Sequence, residues 1–436
     1  MSLDLLKKTR WLSLAALVGL GCATSLGGCA VNSADDDVES GSEEGASTDA
    51  ITQVNHSKVK RQSIGNCWLY ATTSWLESLN KMATGSEVDV SESYFTFFHW
   101  FDQIANGASG DEVSTGGSFG VAAEIINRYG VMLEKDFIAA ETDAEMSARQ
   151  KSALTSMNAA LKDGALKEPA ARRDRAKVLA ELFKAWNLDK AAQDMIVTTF
   201  GSTVSRTIDK SYATRKTPTN GKILRAKDFA AKLKDTKTGA WKTLTLQDAI
   251  GTKGSSSWSP RTGAFVWQEA DYPTDAKSRR AFMKRVQKAL HDGQPVIISW
   301  FVDFNALSSK ATFSVEELAR RGGPGHQGGH MTVLHDYEAT NVPGFGTLKA
   351  GEAATPAQLT AALSDETQIS FLRIKNSWGS FRPDRWSDAV IPGYHDLMVT
   401  YLNGPVKKCS EKDGVTDTTN CFDHTPLWDV TLPAGY

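Results

Sequence analysis

The chain has 436 residues, a formal net charge of −2, 41% hydrophobic residues and 23% charged residues. This composition is typical of a folded globular protein and excludes a chain that is disordered or built of membrane-spanning helices. The near-neutral charge excludes a protein that is basic throughout, so we expect no nucleic-acid partner. Five cysteines are too few for a disulfide scaffold.

The N-terminal segment, residues 1–28, has the pattern of an export signal. Three basic residues precede an apolar run of about ten residues, which is too short to cross a bilayer about 30 Å thick. The run leads to Leu26-Gly27-Gly28-Cys29, which resembles the lipobox of bacterial lipoproteins. That resemblance implies cleavage before Cys29, lipidation of Cys29 and a cell-envelope location at the outer membrane or cell surface. The alternative is an ordinary signal peptide that is cleaved nearby.

Residues 29–52 are predicted to form an acidic, flexible tether. Residues 30–50 contain seven acidic side chains and no basic one, with many serines and glycines. Such a segment buries too little apolar surface to offset the entropy cost of becoming ordered. We therefore expect the folded domain to comprise residues 53–436.

The first chemical signal is Cys67, which precedes Trp68. Apolar residues recur after it at helical spacing, so we expect Cys67 at the N-terminus of an amphipathic helix. The backbone N–H groups and the dipole of a helix N-terminus stabilise a thiolate, which is the nucleophilic form of cysteine. Taken alone, a cysteine before such a helix is more often a buried structural thiol.

Two later segments contain the partners that a catalytic thiolate needs. His330 opens the apolar run Met331–Leu334, which follows glycines and predicts a buried strand. Asn376 follows a second predicted strand. An asparagine oxygen can accept one imidazole N–H and fix the ring, which leaves the other ring nitrogen to take the thiol proton. The neighbouring Trp378 could shield that hydrogen bond from water.

Three motifs therefore occur along the chain in a fixed order: Gly65-Asn66-Cys67-Trp68, His330 followed by Tyr337, and Lys375-Asn376-Ser377-Trp378-Gly379. Together they resemble the papain superfamily of cysteine peptidases. The resemblance implies an α+β, papain-like two-lobed fold, with a helical left lobe and an antiparallel, β-barrel-like right lobe. It implies that Cys67 is the nucleophile, His330 the general base and then acid, and Asn376 the residue that orients His330. It implies protein or peptide substrates and no cofactor.

Gln62 is the candidate for the oxyanion hole. In the family, a glutamine upstream of the nucleophile completes this hole together with the backbone N–H of the cysteine. Gln62 lies five residues before Cys67, where the family usually has six. Either the intervening loop is one residue tighter, or another donor serves.

The segment Val90-Ser91-Glu92-Ser93-Tyr94 and the aromatic residues that follow it up to Phe101 resemble the second helix of the bleomycin hydrolase and bacterial aminopeptidase C branch of the family. The pair Gly116 and Gly117 resembles the family's double glycine, whose backbone pairs with an extended substrate strand. We therefore predict that these glycines and Trp378 contact substrate. The alternative for the pair is a turn that opens a helix, and both roles could hold at the same time. In this branch the end of the chain enters the cleft and makes the enzyme an aminopeptidase. Residues 427–436 are apolar enough to dock there but match that tail only loosely, so endopeptidase and aminopeptidase action both stay open.

Residues 141–270 are predicted to be a basic, partly helical insertion. His330 and Asn376 follow Cys67 by 263 and 309 residues, whereas papain-type enzymes have about 130–150. The segment carries a net charge of +9. It could dock on an anionic surface, peptide or membrane; the alternative is a helical elaboration exposed to solvent.

Cys409 and Cys421 are the remaining cysteines of the mature chain, and in an oxidising compartment they should form a disulfide. Three histidines lie close together in the sequence, at positions 326, 330 and 335, which could suggest zinc. Alternate strand residues point to opposite faces, so we predict no metal site. His395 and His424 are expected at the surface.

The primary hypothesis is an envelope-anchored cysteine peptidase that hydrolyses peptide bonds through a Cys-His-Asn triad and a thioester. The alternative is a catalytically weak, peptidase-like binding or adhesion lipoprotein. It is motivated by the short spacing between Gln62 and Cys67 and by the basic insertion. The sequence does not predict side-chain preference, physiological substrate or oligomeric state.

Overall fold

The computed structural model describes residues 51–52, 54–214, 222–254, 260–381, 391–412 and 415–436. The predicted signal peptide, Cys29 and most of the predicted tether lie outside the described residues.

No helix in the described part of the chain is both long and apolar enough to cross a membrane.

Helices dominate the N-terminal half of the described chain. In chain order the α-helices are α1 (Cys67–Thr84), α2 (Glu92–Ala105), α3 (Phe119–Tyr129), α4 (Glu134–Phe137), α5 (Ala148–Lys162), α6 (Pro169–Arg173), α7 (Arg175–Ala185), α8 (Lys190–Phe200), α9 (Ile208–Thr214), α10 (Leu246–Ile250), α11 (Ala276–His291), α12 (Val315–Arg320), α13 (Pro356–Ala361) and α14 (Val399–Asn403). Serine hydroxyls at Ser91, Ser118 and Ser147 accept backbone N–H groups at the starts of α2, α3 and α5. These caps satisfy donors that have no carbonyl partner within the helix.

Strands dominate the C-terminal half. They are β1 (Val131–Met132), β2 (Ile223–Leu224), β3 (Ala230–Lys234), β4 (Trp241–Thr245), β5 (Thr252–Lys253), β6 (Arg261–Thr262), β7 (Trp267–Asp271), β8 (Ile297–Asp303), β9 (Thr312–Phe313), β10 (Gln327–Val342), β11 (Gly346–Leu348), β12 (Gln368–Lys375), β13 (Tyr394–Met398), β14 (Val406–Lys412), β15 (Val415–His424) and β16 (Leu427–Pro433).

Eight of these strands form one large sheet. Their order is β7-β16-β8-β10-β12-β13-β9, with β11 paired to β10. Its neighbouring strands are antiparallel except for the β13–β9 pair. The long strand β10, which contains His330, lies between β8 and β12. Asn376 directly follows β12, so the sheet order brings the predicted base and its orienting residue together.

Two separate hydrophobic cores divide the molecule into two lobes. The first core packs α1, α2 and α3 with the helices of residues 141–270. The second core lies between the large sheet and α11. Ile297, Met331, Val333 and Trp267 come from the sheet but pack into the first core, so this face of the sheet meets the helical lobe. The predicted α+β, two-lobed fold is confirmed.

Residues 141–270 pack into the helical lobe. Trp186 is fully buried and its ring lies 5.3 Å from Trp100 and 6.2 Å from Phe137. The hairpin β3–β4 contacts α1, where the Asn80 side chain donates a hydrogen bond to the Ala230 carbonyl at 2.9 Å. The segment therefore shares a core with the helix that carries Cys67.

The C-terminal segment is a strand of the sheet. β16 pairs with both β7 and β8, and beyond it Tyr436 donates a hydrogen bond to Asp292. Leu427–Pro433, which the sequence analysis describes as apolar enough to dock in the cleft, are thus a strand of the sheet, and their apolar side chains pack in the second core. Before β16, the hairpin β14–β15 contains the predicted disulfide between Cys409 and Cys421.

Replacing Trp186 tests whether residues 141–270 are integral to the helical lobe. Trp186→Ala removes a fully buried ring from a close-packed core and should lower the free energy of unfolding by about 3–5 kcal/mol. Urea denaturation followed by circular dichroism measures the change. Trp241→Ala is the matched control, because that ring is 38% exposed. Equal stability of the two variants would contradict the shared core.

Candidate active site

Cys67 lies where the two lobes meet. It is the first residue of α1, as predicted, and only 2% of its surface is exposed. The backbone N–H of Met331, on β10, donates to Cys67 Sγ at 3.3 Å. The sulfur thus belongs to the helical lobe but lies against the strand of the sheet lobe that carries His330.

A short hydrogen bond joins His330 to Asn376. The distance from His330 Nε2 to Asn376 Oδ1 is 2.7 Å, and both residues are 2% exposed. Asn376 Oδ1 also accepts the Ser377 N–H at 2.7 Å. Because an oxygen that accepts two N–H groups must be a carbonyl oxygen, this contact fixes the orientation of the amide. In neutral His330, Nε2 therefore carries the proton and Nδ1 carries the basic lone pair.

His395 supports Asn376 from the other side. Asn376 Nδ2 donates to His395 Nδ1 at 3.3 Å, and His395 is 1% exposed. The expectation of a surface position for His395 is therefore wrong. Its strand β13 pairs with β12 and places His395 opposite Ile374, next to the end of the strand that leads into Asn376. The other histidine expected at the surface, His424, is half-buried against Trp428.

Trp378 covers the His330–Asn376 pair. Its ring stacks on the His330 ring with centroids 4.9 Å apart and an interplanar angle of 17°. Trp378 is itself buried. A hydrogen bond is stronger where water is excluded, so the indole is placed to strengthen the pair, as the sequence analysis predicted. Since the ring is buried behind His330, the described contacts give Trp378 a shielding role.

Gln62 lies in a tight turn before Cys67. The Ile64 carbonyl accepts both the Asn66 N–H at 2.8 Å and Gln62 Nε2 at 2.9 Å. Gln62 Oε1 accepts the Ser377 hydroxyl at 2.6 Å. These contacts orient the amide group within the turn, and the second Nε2 proton is the one that could face an oxyanion. The five-residue spacing between Gln62 and Cys67 thus corresponds to a tight turn in which the Ile64 carbonyl accepts two hydrogen bonds.

The segment before this turn is held on both sides. Arg61 forms a parallel bridge with Met146 and an antiparallel bridge with Trp378. Its N–H donates to the Glu145 carbonyl at 2.7 Å. Gln62 N–H in turn donates to the Ser377 carbonyl at 2.9 Å. Residues from the 141–270 segment and from the sheet lobe therefore fix the loop that carries Gln62.

A buried amide network holds the residue before Cys67. Asn66 Nδ2 donates to Gln150 Oε1 at 3.1 Å and to the Thr96 hydroxyl at 3.0 Å. Gln150 Nε2 donates to the Ser93 hydroxyl at 3.1 Å, and Gln150 is fully buried. No pattern in the sequence indicates this role of Gln150. Gln150 is the one glutamine in a helix whose sequence is mostly polar, and it lies about eighty residues from Asn66. Nothing in the neighbouring sequence predicts that the two residues are in contact.

The glycine pair has a packing role. A Cβ on Gly117 would lie 2.4 Å from the Trp68 ring, and Trp68 Nε1 donates to the Thr115 carbonyl at 2.8 Å. The Gly116 carbonyl is 3.1 Å from His99 Nε2. Burial lowers the pKa of His99 to about 4, so the ring is neutral near neutral pH. Any side chain at position 117 would displace the tryptophan next to Cys67.

A buried charge cluster lies behind the site. Lys60 Nζ is 3.0 Å from Glu92 and 3.4 Å from Glu77. Burial opposes the charge on Lys60, but Glu77 and Glu92 outweigh it and hold the pKa of Lys60 well above its usual value. Burial lowers the pKa of Lys375, the residue before Asn376, to about 8. These groups link α1 and α2 to the end of β12.

Glu134 extends this cluster. Burial raises the pKa of its carboxyl to about 8, and the neighbouring Glu92 adds to the effect. Glu134 Oε1 is buried with no hydrogen-bond partner among the described residues. The protonated form of Glu134 is favoured because ionisation would place a buried negative charge beside Glu92.

The three clustered histidines have separate neighbours. His326 stacks on Phe304, and His335 lies edge-on to Tyr394. His330 is committed to Asn376. Within the described ranges, no group of three or more His, Cys, Asp or Glu residues could hold a metal ion.

No family model matches the chain, and no curated protein sequence matches it. Among solved structures, the chain is similar to PepW from Lactobacillus rhamnosis HN001, with 12% identity, a TM-score of 0.40 and coverage of 89% of this chain and 81% of that one. It is similar to xylellain, a cysteine protease from Xylella fastidiosa, with 10% identity, a TM-score of 0.35 and coverage of 93% and 96%. Digestive procathepsin L 3 of Tenebrio molitor matches with 13% identity, a TM-score of 0.32 and coverage of 90% and 71%. These TM-scores are too low to assign an activity.

The raised pKa of Glu134 predicts how stability depends on pH. A carboxyl with a folded-state pKa of about 8 and a usual value of 4.5 stabilises the fold fully below pH 4.5, and loses this contribution as the pH rises towards 8. Glu134→Gln has no carboxyl to ionise and does not lose stability in this way. The melting temperature of the variant minus that of wild type should therefore be larger at pH 8 than at pH 5.5. Differential scanning calorimetry at both values measures it.

The exposed Glu112 provides the control, and Glu112→Gln should change the melting temperature equally at both pH values. A Glu134→Gln difference that is the same at pH 5.5 and pH 8 would contradict the raised pKa.

Proposed function

We propose that this protein is a cysteine peptidase in which Cys67 is the nucleophile, His330 the base and Asn376 the orienting residue. The observation that carries the proposal is the 2.7 Å hydrogen bond from His330 Nε2 to Asn376 Oδ1. It fixes the imidazole on the strand whose next N–H contacts Cys67 Sγ. This combination of an oriented base and a sulfur at a helix N-terminus is the requirement for nucleophilic catalysis by cysteine.

The proposed reaction uses each of these groups in turn. His330 Nδ1 takes the Cys67 proton, and the thiolate attacks the carbonyl carbon of the peptide bond. The imidazolium then returns this proton to the leaving amine as the C–N bond breaks, which leaves a thioester on Cys67. His330 next takes a proton from water, whose oxygen attacks the thioester and releases the carboxylic acid and the thiol.

The negative oxygen formed in both steps needs hydrogen-bond donors. Cys67 is the first residue of α1, and the first N–H groups of a helix have no carbonyl partner within it. We propose that the Cys67 N–H and the second Nε2 proton of Gln62 are these donors. The contacts of Gln62 with Ile64 and Ser377 support this role because they hold the amide without using all of its protons.

The alternative of a catalytically weak binding lipoprotein is not favoured. A protein that only binds peptides would have no need to orient a buried imidazole through an asparagine, a second histidine and a stacked tryptophan. We further propose that the peptidase is exported and anchored to the cell envelope by lipid on Cys29, on the strength of the lipobox-like sequence.

Covalent labelling tests the proposed nucleophile. Under reducing conditions, an epoxysuccinyl probe should label wild-type protein once, at Cys67, and the protein should cleave casein or aminoacyl fluorogenic substrates. Cys67→Ala should lose both the label and at least about 10³-fold in turnover, because the thiolate is the reacting atom. Peptide mapping by mass spectrometry and fluorimetry provide the measurements.

The double variant Cys409→Ala with Cys421→Ala is the matched control, because it removes the disulfide cysteines but leaves the nucleophile in place. It should still be labelled at Cys67. Unchanged peptide turnover by Cys67→Ala would contradict the proposed function.

Metabolic labelling tests the proposed anchor. Wild-type protein expressed in bacteria should incorporate labelled palmitate and partition with the membrane fraction, and Cys29→Ala should do neither. Cys22→Ala is the control, since Cys22 lies in the predicted signal peptide and is removed with it. Palmitate incorporation that persists in Cys29→Ala would contradict the anchor.

A further inference from the structure

Two cavities adjoin the buried charge cluster of Lys60. The larger has a volume of about 430 Å³, which is enough for a small ligand. The smaller has a volume of about 10 Å³, which is room for one water molecule or one ammonium group. Lys60, Asp89, Ala144 and Glu145 line both cavities, so the two are neighbours. We call them the outer and the inner acidic cavity.

Carboxyl groups dominate the walls of both cavities. Five carboxyl groups line the outer cavity and five line the inner one, and two of them are shared, so there are eight in all. The ammonium groups along the same walls are those of Lys58 and Lys60. Such an excess of one charge in an enclosed space attracts a ligand of the opposite charge.

Two carboxylate oxygens of the inner cavity lack a partner. Glu134 is 7% exposed, Glu141 is 8% exposed, and both line this cavity. Glu134 Oε1 and Glu141 Oε2 are buried with no hydrogen-bond partner among the described residues. Glu141 Oε1 accepts the Arg149 N–H at 3.2 Å, so the side chain is held in place while its second oxygen stays unpaired. Because buried polar atoms are normally paired, these oxygens indicate that a donor group enters the inner cavity.

The lysine of the cluster is already engaged by other acids. Lys60 Nζ lies 2.6 Å from Asp89, 3.0 Å from Glu92 and 3.4 Å from Glu77. One ammonium group is thus shared among three carboxyl groups. The two unpaired oxygens are left without a cation of the described chain, so a donor that satisfies them should carry a positive charge.

The shape of the two cavities favours an extended amine over a metal ion. Within the part of the chain that the structure describes, no group of three or more acids could hold a metal ion. An ammonium group fits the inner cavity, and the outer cavity has room for an aliphatic chain. Val59 and Val88 line the outer cavity together with its acids and can pack against methylene groups. Its exposed acids Glu87 and Asp143 can pair with a second ammonium group.

The two cavities are separate from the proposed active site. Neither is lined by Cys67, His330 or Asn376. Lys60, which lines both, lies two residues before Gln62 in the segment that leads to the proposed oxyanion hole. A ligand in these cavities therefore lies beside that segment and does not touch the reacting atoms.

We propose that the two cavities form a binding site for an aliphatic amine that carries several positive charges. One terminal ammonium group enters the inner cavity and pairs with Glu134 and Glu141, and the chain lies in the outer cavity. The amine is either a free polyamine or the lysine side chains of another protein, which share this chemistry. The inference goes beyond the proposed function and does not rest on it.

Isothermal titration calorimetry tests the site with two matched ligands. Spermidine represents a free polyamine, and an amino-blocked trilysine amide, which also carries three charges, represents a lysine-rich protein segment. The full chain with Cys67→Ala is used so that the peptide is not cleaved. At about 0.15 M salt, at least one ligand should bind about tenfold or more tightly than Mg²⁺, which responds to the diffuse negative charge alone. The ligand that binds identifies the source of the amine.

Glu141→Gln is the decisive variant. The glutamine keeps a carbonyl oxygen for the Arg149 N–H, but it places an NH₂ group where the unpaired oxygen was. A donor then faces the ammonium group, so the affinity should fall by about tenfold or more. Glu112→Gln is the matched control, because Glu112 is exposed and lines neither cavity, and it should leave the affinity unchanged.

A second variant covers the case in which Glu141→Gln fails to fold. Glu87→Gln combined with Asp143→Asn changes only exposed side chains of the outer cavity, so the fold should persist. Loss of two charges next to the bound amine should lower the affinity by about threefold or more.

The pH dependence of binding is a further readout that needs no variant. Burial raises the pKa of Glu92 to about 7 and that of Glu134 to about 8. A bound cation favours the ionised carboxylates, so binding should release protons, and the affinity should rise from pH 6 to pH 8 while the amine stays charged. The titratable groups that face these two carboxyls are those of Lys60, Tyr70, Glu77, Asp89, Glu141, Glu145 and Lys375.

The outcomes decide the inference without reference to peptidase activity. If both ligands bind no more tightly than Mg²⁺, the site is overturned. It is also overturned if the affinity is the same in the parent protein, in Glu141→Gln and in the double variant, because the ligand then binds elsewhere. Tight binding that either variant weakens, together with proton release, supports the site whether or not the protein cleaves peptides.

Discussion

The hydrogen bond between His330 Nε2 and Asn376 Oδ1 is the contact on which the rest of the site depends. It is held because each end of the Asn376 amide has another partner, the Ser377 N–H at the oxygen and His395 at the nitrogen. All of these groups are buried, and leaving one without a partner would cost about 1–3 kcal/mol. Trp378 closes the arrangement against water. The imidazole thus has one orientation, in which Nε2 faces Asn376 and Nδ1 is the basic nitrogen.

The proposed nucleophile, Cys67, comes from the other lobe than His330 and Asn376. Cys67 is fixed by the start of α1, and the turn before it is held by residues of the 141–270 segment as well as by the sheet lobe. Gln150 reaches Asn66, and Met146 lies beside Arg61. A segment that the sequence predicts as an insertion therefore contributes to the position of the nucleophile. Its buried contacts with α2 explain why it shares a core with the helical lobe.

The sequence predicts what local patterns determine. The helix that starts at Cys67, the buried strand with His330 and the strand before Asn376 each follow from periodicity and flanking glycines, and the structure has all three. The surface position predicted for His395 is wrong because its burial follows from the pairing of β13 with β12, which no local pattern reveals. The C-terminal residues are apolar both in a docked tail and in a strand, so composition could not distinguish the two.

Detection of a thioester on Cys67 would be the most direct evidence for the proposed mechanism, since no other role of Cys67, His330 and Asn376 requires one. Intact-mass spectrometry of an acid-quenched reaction with a peptide ester measures it, and peptide mapping locates it. The account predicts a mass increase equal to the acyl group, located on the peptide that contains Cys67, which appears early and disappears as the ester is consumed. Hydrolysis without this adduct, or an adduct at another residue, would contradict the account.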